Sequence, residues 1–231
     1  MKKSNKLFIP LCFIAMFILW TIAVKYIDVK PIGPDSSSVG LSSINQFVHN
    51  LTGVHLTLYN ITDWSGLIPF AFCLSFAILG FIQLIKRKNI FKVDFDILLL
   101  GGFYIVTFAL YLLFEYIVIN YRPILINGNL EVSYPSSTTM LVLCVIPTAI
   151  MQLNYRINRF YLKRIITLIL IAFILFMVIG RLISGVHWFS DIIGGFLLST
   201  GLVSMYYVIL SIQNLKKEEK NNDIDINYKF R

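Results

Sequence analysis

The residues with the most chemistry to offer fall in three short segments. They are Asn120-Tyr121-Arg122-Pro123, then Tyr134-Pro135-Ser136-Ser137-Thr138, then Gly180-Arg181 through His187 to Asp191. His187 and Asp191 stand four residues apart, a spacing that puts both on one face of a helix. A carboxylate so placed can accept a hydrogen bond from one imidazole nitrogen. That fixes the tautomer and leaves the other nitrogen as nucleophile or base. Arg122 and Arg181 offer guanidinium forks that match phosphate oxygens. Ser136 adds a hydroxyl, and the amides at Ser137, entering a helix, offer an anion-binding end. Together these groups suffice to bind a phosphoryl group and attack it without a metal.

Each signal is weak by itself. A single Arg at a membrane boundary is ordinarily a snorkelling anchor. A single His near a helix start is ordinarily structural. The elements that position these residues strengthen the case.

Hydrophobic residues make up 57% of the 231 residues and charged ones 14%, against roughly 25% charged in a soluble domain. A soluble fold could not bury that much apolar surface, whereas a bilayer-embedded one need not. Apolar runs near Leu7–Ile27, Gly66–Ile85, Phe95–Ile119, Ser137–Leu153, Ile165–Ser184 and Phe189–Ile212 predict six membrane helices. The expected fold is an all-α, polytopic six-helix transmembrane bundle. Residues 1–213 would form one membrane domain and residues 214–231 a polar cytoplasmic tail. The first run is too long for a secretory signal core and lacks a small-residue cleavage pattern, so it reads as a retained helix.

Sixteen of the 20 Lys and Arg fall before helix one, between helices two and three, between four and five, or after helix six. The positive-inside rule makes that side cytoplasmic, with both termini inside the cell membrane. The net charge of +8 is thereby assigned to topology and anionic lipid, not to nucleic acid. Lys25, Lys30, Arg122 and Arg181 are left on the outer side, as are His49, His55 and His187. All three chemical segments therefore meet at the outer ends of helices three to six.

The outer connection from Asp28 to about Ser65 contains Leu41, Ile44, Val48 and Leu51 at helical spacing, with Gly53 as a stop. It is either an interfacial helix or a packed loop. Cys12, Cys73 and Cys144 sit in apolar runs and form neither a metal-site spacing nor a disulfide framework.

These segments resemble the type 2 phosphatidic acid phosphatase superfamily, which includes bacterial lipid phosphatases and vanadium haloperoxidases. Its pattern is Lys-x6-Arg-Pro, then Pro-Ser-Gly-His, then Ser-Arg-x5-His-x3-Asp. The third motif is matched by Arg181, His187 and Asp191, with Gly180 in place of its Ser. The first keeps Arg122-Pro123 and the second keeps Pro135-Ser136. The resemblance implies a lipid phosphate substrate, no cofactor, and a phosphohistidine on His187. Asp191 would orient it, while Arg122, Arg181, Ser136 and the Ser137 amide would bind phosphate.

Two positions depart from the pattern. The family Lys is Glu115, and the family His that protonates the leaving group is Thr138. Glu115 is expected to point away or to pair with an arginine. A general acid contributes about 10²–10⁴-fold, and threonine does not titrate in the useful range. The chain is therefore expected to favour a lipid pyrophosphate, whose leaving group departs without a proton, over a lipid monoester. His49 and His55 are candidate replacement acids. The alternative is a catalytically impaired relative that binds lipid phosphates or acts as a membrane partner.

Overall fold

The computed structural model describes the backbone of residues 3–229 and the side chains of residues 6–215. Among the described residues eight α-helices are formed. They are α1 (Lys3–Tyr26), α2 (Ser42–Thr52), α3 (Leu56–Ser65), α4 (Leu67–Arg87), α5 (Phe95–Tyr116), α6 (Ser137–Arg156), α7 (Phe160–Ile183) and α8 (Phe189–Lys229). Six apolar stretches are long enough to cross a bilayer, the second made of α3 and α4 together. The six expected spans are thus all present, and the protein is a multi-pass membrane protein. No strands occur among the described residues.

The bundle is organised around α6 and α8. Half of each span's apolar window is buried, against about a fifth or less in the other four. This explains why the fourth span is the least hydropathic of the six. An inner helix can carry Thr139, Thr148 and Gln152, all buried, where a lipid-facing helix could not. One core joins Leu100 of α5, Val145 and Ala149 of α6 and Tyr206 of α8. A second joins Phe17 and Val24 of α1 to Met140, Cys144 and Leu197. A third joins Val142 and Ile146 of α6 to Leu170 and Met177 of α7. Apolar side chains such as Phe8, Leu19, Phe81, Ile105 and Leu168 remain exposed. In lipid they cost nothing, because association there depends on close packing rather than on escape from water.

One end of the bundle gathers Lys86, Arg87, Lys88, Lys92, Arg156, Arg159, Lys163 and Arg164 in its two short turns. Arg87 pairs with Asp94 at 2.6 Å and Arg156 with Asp96 at 2.6 Å. The opposite end carries the long connection. There α2 appears where the apolar spacing predicts it, and Gly53 ends it at φ +68°. Asp28 accepts the Ser43 N–H at 2.7 Å and pairs with Lys30 at 3.0 Å. Those contacts hold its carboxyl well below the usual range. Asn45, buried on α2, bonds Ser190 and the Gly40 carbonyl, tying the loop to the start of α8. Helix α3 has no counterpart in the expected elements. Beyond Leu215 the backbone of α8 continues to Lys229, so the polar tail is helical rather than a loose chain.

Candidate active site

Between α5 and α6 the chain turns back on itself. Asn127 and Gly128 both have positive φ, the two-residue turn that suits a hairpin. Tyr121 pairs with Val132, Arg122 N–H bonds the Glu131 carbonyl at 3.0 Å, and Ser133 N–H bonds the Asn120 carbonyl at 2.9 Å. The hairpin therefore presents Arg122 and Ser133 together. Trp188 Nε1 bonds the Tyr121 carbonyl at 2.8 Å and docks this hairpin against the start of α8.

His187 lies in the turn between α7 and α8 and is 3% exposed. Gly185 makes that turn possible. It has φ +69°, and a Cβ there would lie 1.9 Å from the Gly53 carbonyl oxygen. The direct His187–Asp191 hydrogen bond expected from their spacing is not formed. Nδ1 and Oδ2 are 3.8 Å apart. Ser133 stands between them, with Oγ 3.1 Å from Nδ1 and donating to Asp191 Oδ2. The hydroxyl has one proton, and it goes to the carboxylate. Its oxygen must therefore accept from Nδ1–H, which leaves Nε2 with its lone pair. Asp191 cannot come closer because Oδ2 also accepts the Trp188 N–H at 2.8 Å. Sequence spacing identified the pair but not the serine, which lies 54 residues from His187 and outside every motif.

Arg122 Nη1 donates to His187 Nε2 at 3.4 Å. Its Nε lies 3.0 Å from Glu131 Oε2, close in charge but not aligned as a hydrogen bond. Burial, and then the neighbouring Arg122 charge, push His187 down to about 4. The imidazole is thus neutral near pH 7, as a nucleophile must be.

Arg181 is 1% exposed. Its Nη2 donates to Asp63 Oδ1 at 2.6 Å and to Thr138 Oγ1 at 2.6 Å. Its Nε and Nη1 are buried with no hydrogen-bond partner in the protein, as is Ser136 Oγ. Unpaired buried donors are costly. Those of Arg181 and Ser136 are the ones an oxyanion would satisfy. Tyr59 of α3 lies under both guanidiniums, 5.0 Å from Arg181 and 6.0 Å from Arg122. Ser136 is the N-cap of α6, and its own N–H bonds the Asp191 carbonyl at 3.0 Å. The free amides of Ser137 and Thr138 follow it, an end of the helix that favours negative charge.

A cavity of about 270 Å³ leads away from this cluster between α4, α5 and α6. Asp63, Ser137 and Thr138 line its polar part, and Leu67, Phe70, Phe108 and Met140 its apolar part. Phe70 and Phe108 also line an open apolar groove of about 740 Å³ between α4 and α5.

Residues 104–214 match the model of the PAP2 superfamily. That stretch of the chain is similar to the PAP2 superfamily. It is similar over 88% of its length, at 19% identity and a TM-score of 0.57, to a solved transmembrane PAP2 type phosphatidylglycerolphosphate phosphatase from Bacillus subtilis, 96% of which is covered. That likeness is one of fold. No curated protein matches the chain in sequence.

The matched PAP2 region holds Arg122, Ser136, Ser137, Arg181, His187 and Asp191, and the bundle gathers all six at one end. Two of its unusual positions behave differently from each other. Thr138 faces inward and accepts from Arg181. Glu115 is exposed on α5 and lines a recess with Tyr111, Ser133 and Ser137. It pairs with neither arginine, so of the two expected arrangements it takes the outward one. His55 Nε2 bonds the Thr52 carbonyl at 2.9 Å, and His49 packs on Trp188 at 5.4 Å between ring centres. Neither histidine bonds Arg122, Arg181 or His187. Asp63 and Tyr59 lie outside the PAP2 match, on the helix that sequence periodicity did not resolve.

Proposed function

We propose that this protein hydrolyses a lipid phosphate or lipid pyrophosphate on the outer face of the cell membrane, through a phosphohistidine on His187. The observation that carries the reading is the Ser133 bridge. It leaves His187 Nε2 unprotonated and directed at Arg122, beside the unpaired donors of Arg181 and Ser136. A phosphoryl group there has its negative oxygens held by two guanidiniums, the Ser136 hydroxyl and the first amides of α6. Its phosphorus faces Nε2. Donors fixed in advance cost no reorganisation as charge shifts in the transition state.

The substrate class follows from the cavity. A phosphate-binding end that continues into an apolar groove suits a molecule with one charged head and a long hydrocarbon part. The PAP2 match and a neighbour named as a lipid phosphatase point the same way. The basic turns at the opposite end favour a cytoplasmic location for both termini, with the site outside.

The test is phosphate release by purified full-length protein in detergent, from phosphatidic acid and from a polyprenyl pyrophosphate, with His187→Ala alongside. Release that disappears in the variant supports the reading. Release that persists unchanged in the variant rules the mechanism out. A second reading has its own observation, because Asp63 already neutralises Arg181. On that reading the chain binds lipid phosphates without turnover, and wild type would retain the lipid but release nothing.

A further inference from the structure

We propose that Asp63 supplies the leaving-group proton, at the place where Thr138 stands for the histidine of the PAP2 pattern. The inference rests on the phosphatase reading above and adds a catalytic residue to it. Asp63 Oδ1 and Thr138 Oγ1 are held by the same nitrogen, Arg181 Nη2, each at 2.6 Å. The other two nitrogens of that guanidinium are unpaired. A phosphoryl group bound to them would have Asp63 at its edge. Asp63 and Thr138 also line one cavity, and its remaining wall is mostly apolar. The ester oxygen of a lipid phosphate, lying between the phosphorus and the hydrocarbon, would sit where that carboxyl can reach it. The Asp63 side chain is 57% exposed, so it can exchange protons with solvent between turnovers.

A second departure from the family pattern explains how the carboxyl gets there. Gly180 stands where the pattern has Ser. A Cβ on Gly180 would lie 2.8 Å from Thr62 Cγ2. The glycine thus lets α3 close on α7 at Thr62, which is fully buried, and the next residue is Asp63. Thr138 and Gly180, the two departures from the pattern, meet Asp63 at one point.

The proton balance closes. His187 Nε2 attacks phosphorus and the bond from phosphorus to the lipid oxygen breaks. The electron pair leaves with that oxygen, which takes the proton of the Asp63 carboxyl. The products are the lipid alcohol, phosphohistidine and the Asp63 carboxylate. The carboxylate then removes a proton from water as the water oxygen attacks phosphorus. The phosphorus–nitrogen bond breaks, its electrons return to Nε2, and inorganic phosphate leaves with Asp63 protonated again. Tyr59 beneath Arg181, Arg122 over the same ring and Tyr111 in the cavity wall are further titratable or charged groups at this spot. With Asp63 as acid, the chain has no need of a pyrophosphate leaving group.

The experiment compares Asp63→Asn and Asp63→Glu with wild type on phosphatidic acid and on p-nitrophenyl phosphate, whose phenolate leaves without a proton. Asparagine keeps an acceptor for Arg181, so the guanidinium stays held. Asp63→Asn should lose about 10²–10⁴-fold on phosphatidic acid and no more than about tenfold on the aryl ester, and Asp63→Glu should recover part of the loss. Equal losses on both esters would make Asp63 structural and overturn the assignment. A gain on both would make it a competitor for the anion site. Selective loss in Tyr111→Phe but not in Asp63→Asn would transfer the role to the phenol. A wild type inactive on both esters but active on a polyprenyl pyrophosphate would overturn this assignment alone, and one inactive on all three would overturn the phosphatase reading with it.

Discussion

Ser133 separates His187 from Asp191: its hydroxyl accepts from Nδ1 at 3.1 Å and donates to Oδ2, while the two ionisable groups stay 3.8 Å apart. The carboxylate thus controls the imidazole through an intermediary. Ser133→Ala should lower kcat about 10–100-fold, in line with loss of a group that orients a reactive histidine. KM should change little, because the phosphate-binding groups are untouched. Steady-state kinetics check this. A change confined to KM would place Ser133 on the substrate instead.

His187→Ala should remove turnover altogether, and wild type quenched during turnover should carry an acid-labile, base-stable phosphoryl group on that residue. Mass spectrometry of the trapped protein locates the group. Its attachment to any other side chain would reassign the nucleophile.

The pH profile should be broad on the acid side. Burial and Arg122 push His187 down to about 4, so the nucleophile stays neutral well below the ordinary histidine value of about 6.5. The sign is that kcat/KM holds as pH falls through 6.5 and declines only as pH nears 4. The unfolded chain gains the proton first, so the folded state loses relative stability across the same interval. An acid limb at the ordinary histidine value would contradict the burial of His187.

Orientation is open to labelling. In a background without its three cysteines, Gly128→Cys at the hairpin tip should react with an impermeant maleimide in intact cells. Asn89→Cys, between α4 and α5, should react only after the cells are opened. The reverse pattern would invert the bundle and put the site inside.

Arg181→Lys should weaken phosphate-dependent steps more than Arg122→Lys. A single ammonium nitrogen cannot reproduce the planar fork that holds Asp63 and Thr138 on one nitrogen and leaves two others for a phosphate, whereas Arg122 donates one side-chain hydrogen bond, to His187. Removal of one preorganised donor costs about 10²–10³-fold in kcat. Inhibition by inorganic vanadate, a phosphate mimic, gives an independent readout, and equal weakening in both variants would refute the ranking.

The spans were readable because a bilayer demands long apolar runs, and the basic turns mark one end. The i, i+4 spacing of His187 and Asp191 and Arg181 six residues before His187 were readable as short-range patterns. Ser133 and Asp63 were not. Each reaches the site through contacts of 54 or more residues in sequence, one on a two-stranded turn and one on a short helix whose mixed composition hides it. Asp63 in particular reads as a boundary residue before a membrane span until Gly180 lets α3 reach α7.

The hairpin between α5 and α6 carries Arg122 on one arm and Ser133 on the other. Side chains on such arms alternate, so a shift of pairing by one residue turns every group to the opposite side. Tyr121 pairs with Val132 and Arg122 with Glu131, so the base of the hairpin and not its exposed tip at Asn127-Gly128 is the phase setting for both. One residue added between Glu131 and Ser133 would leave every motif intact and rotate the Ser133 hydroxyl away from Nδ1. In this chain a gap in that arm is as consequential as a substitution in the site.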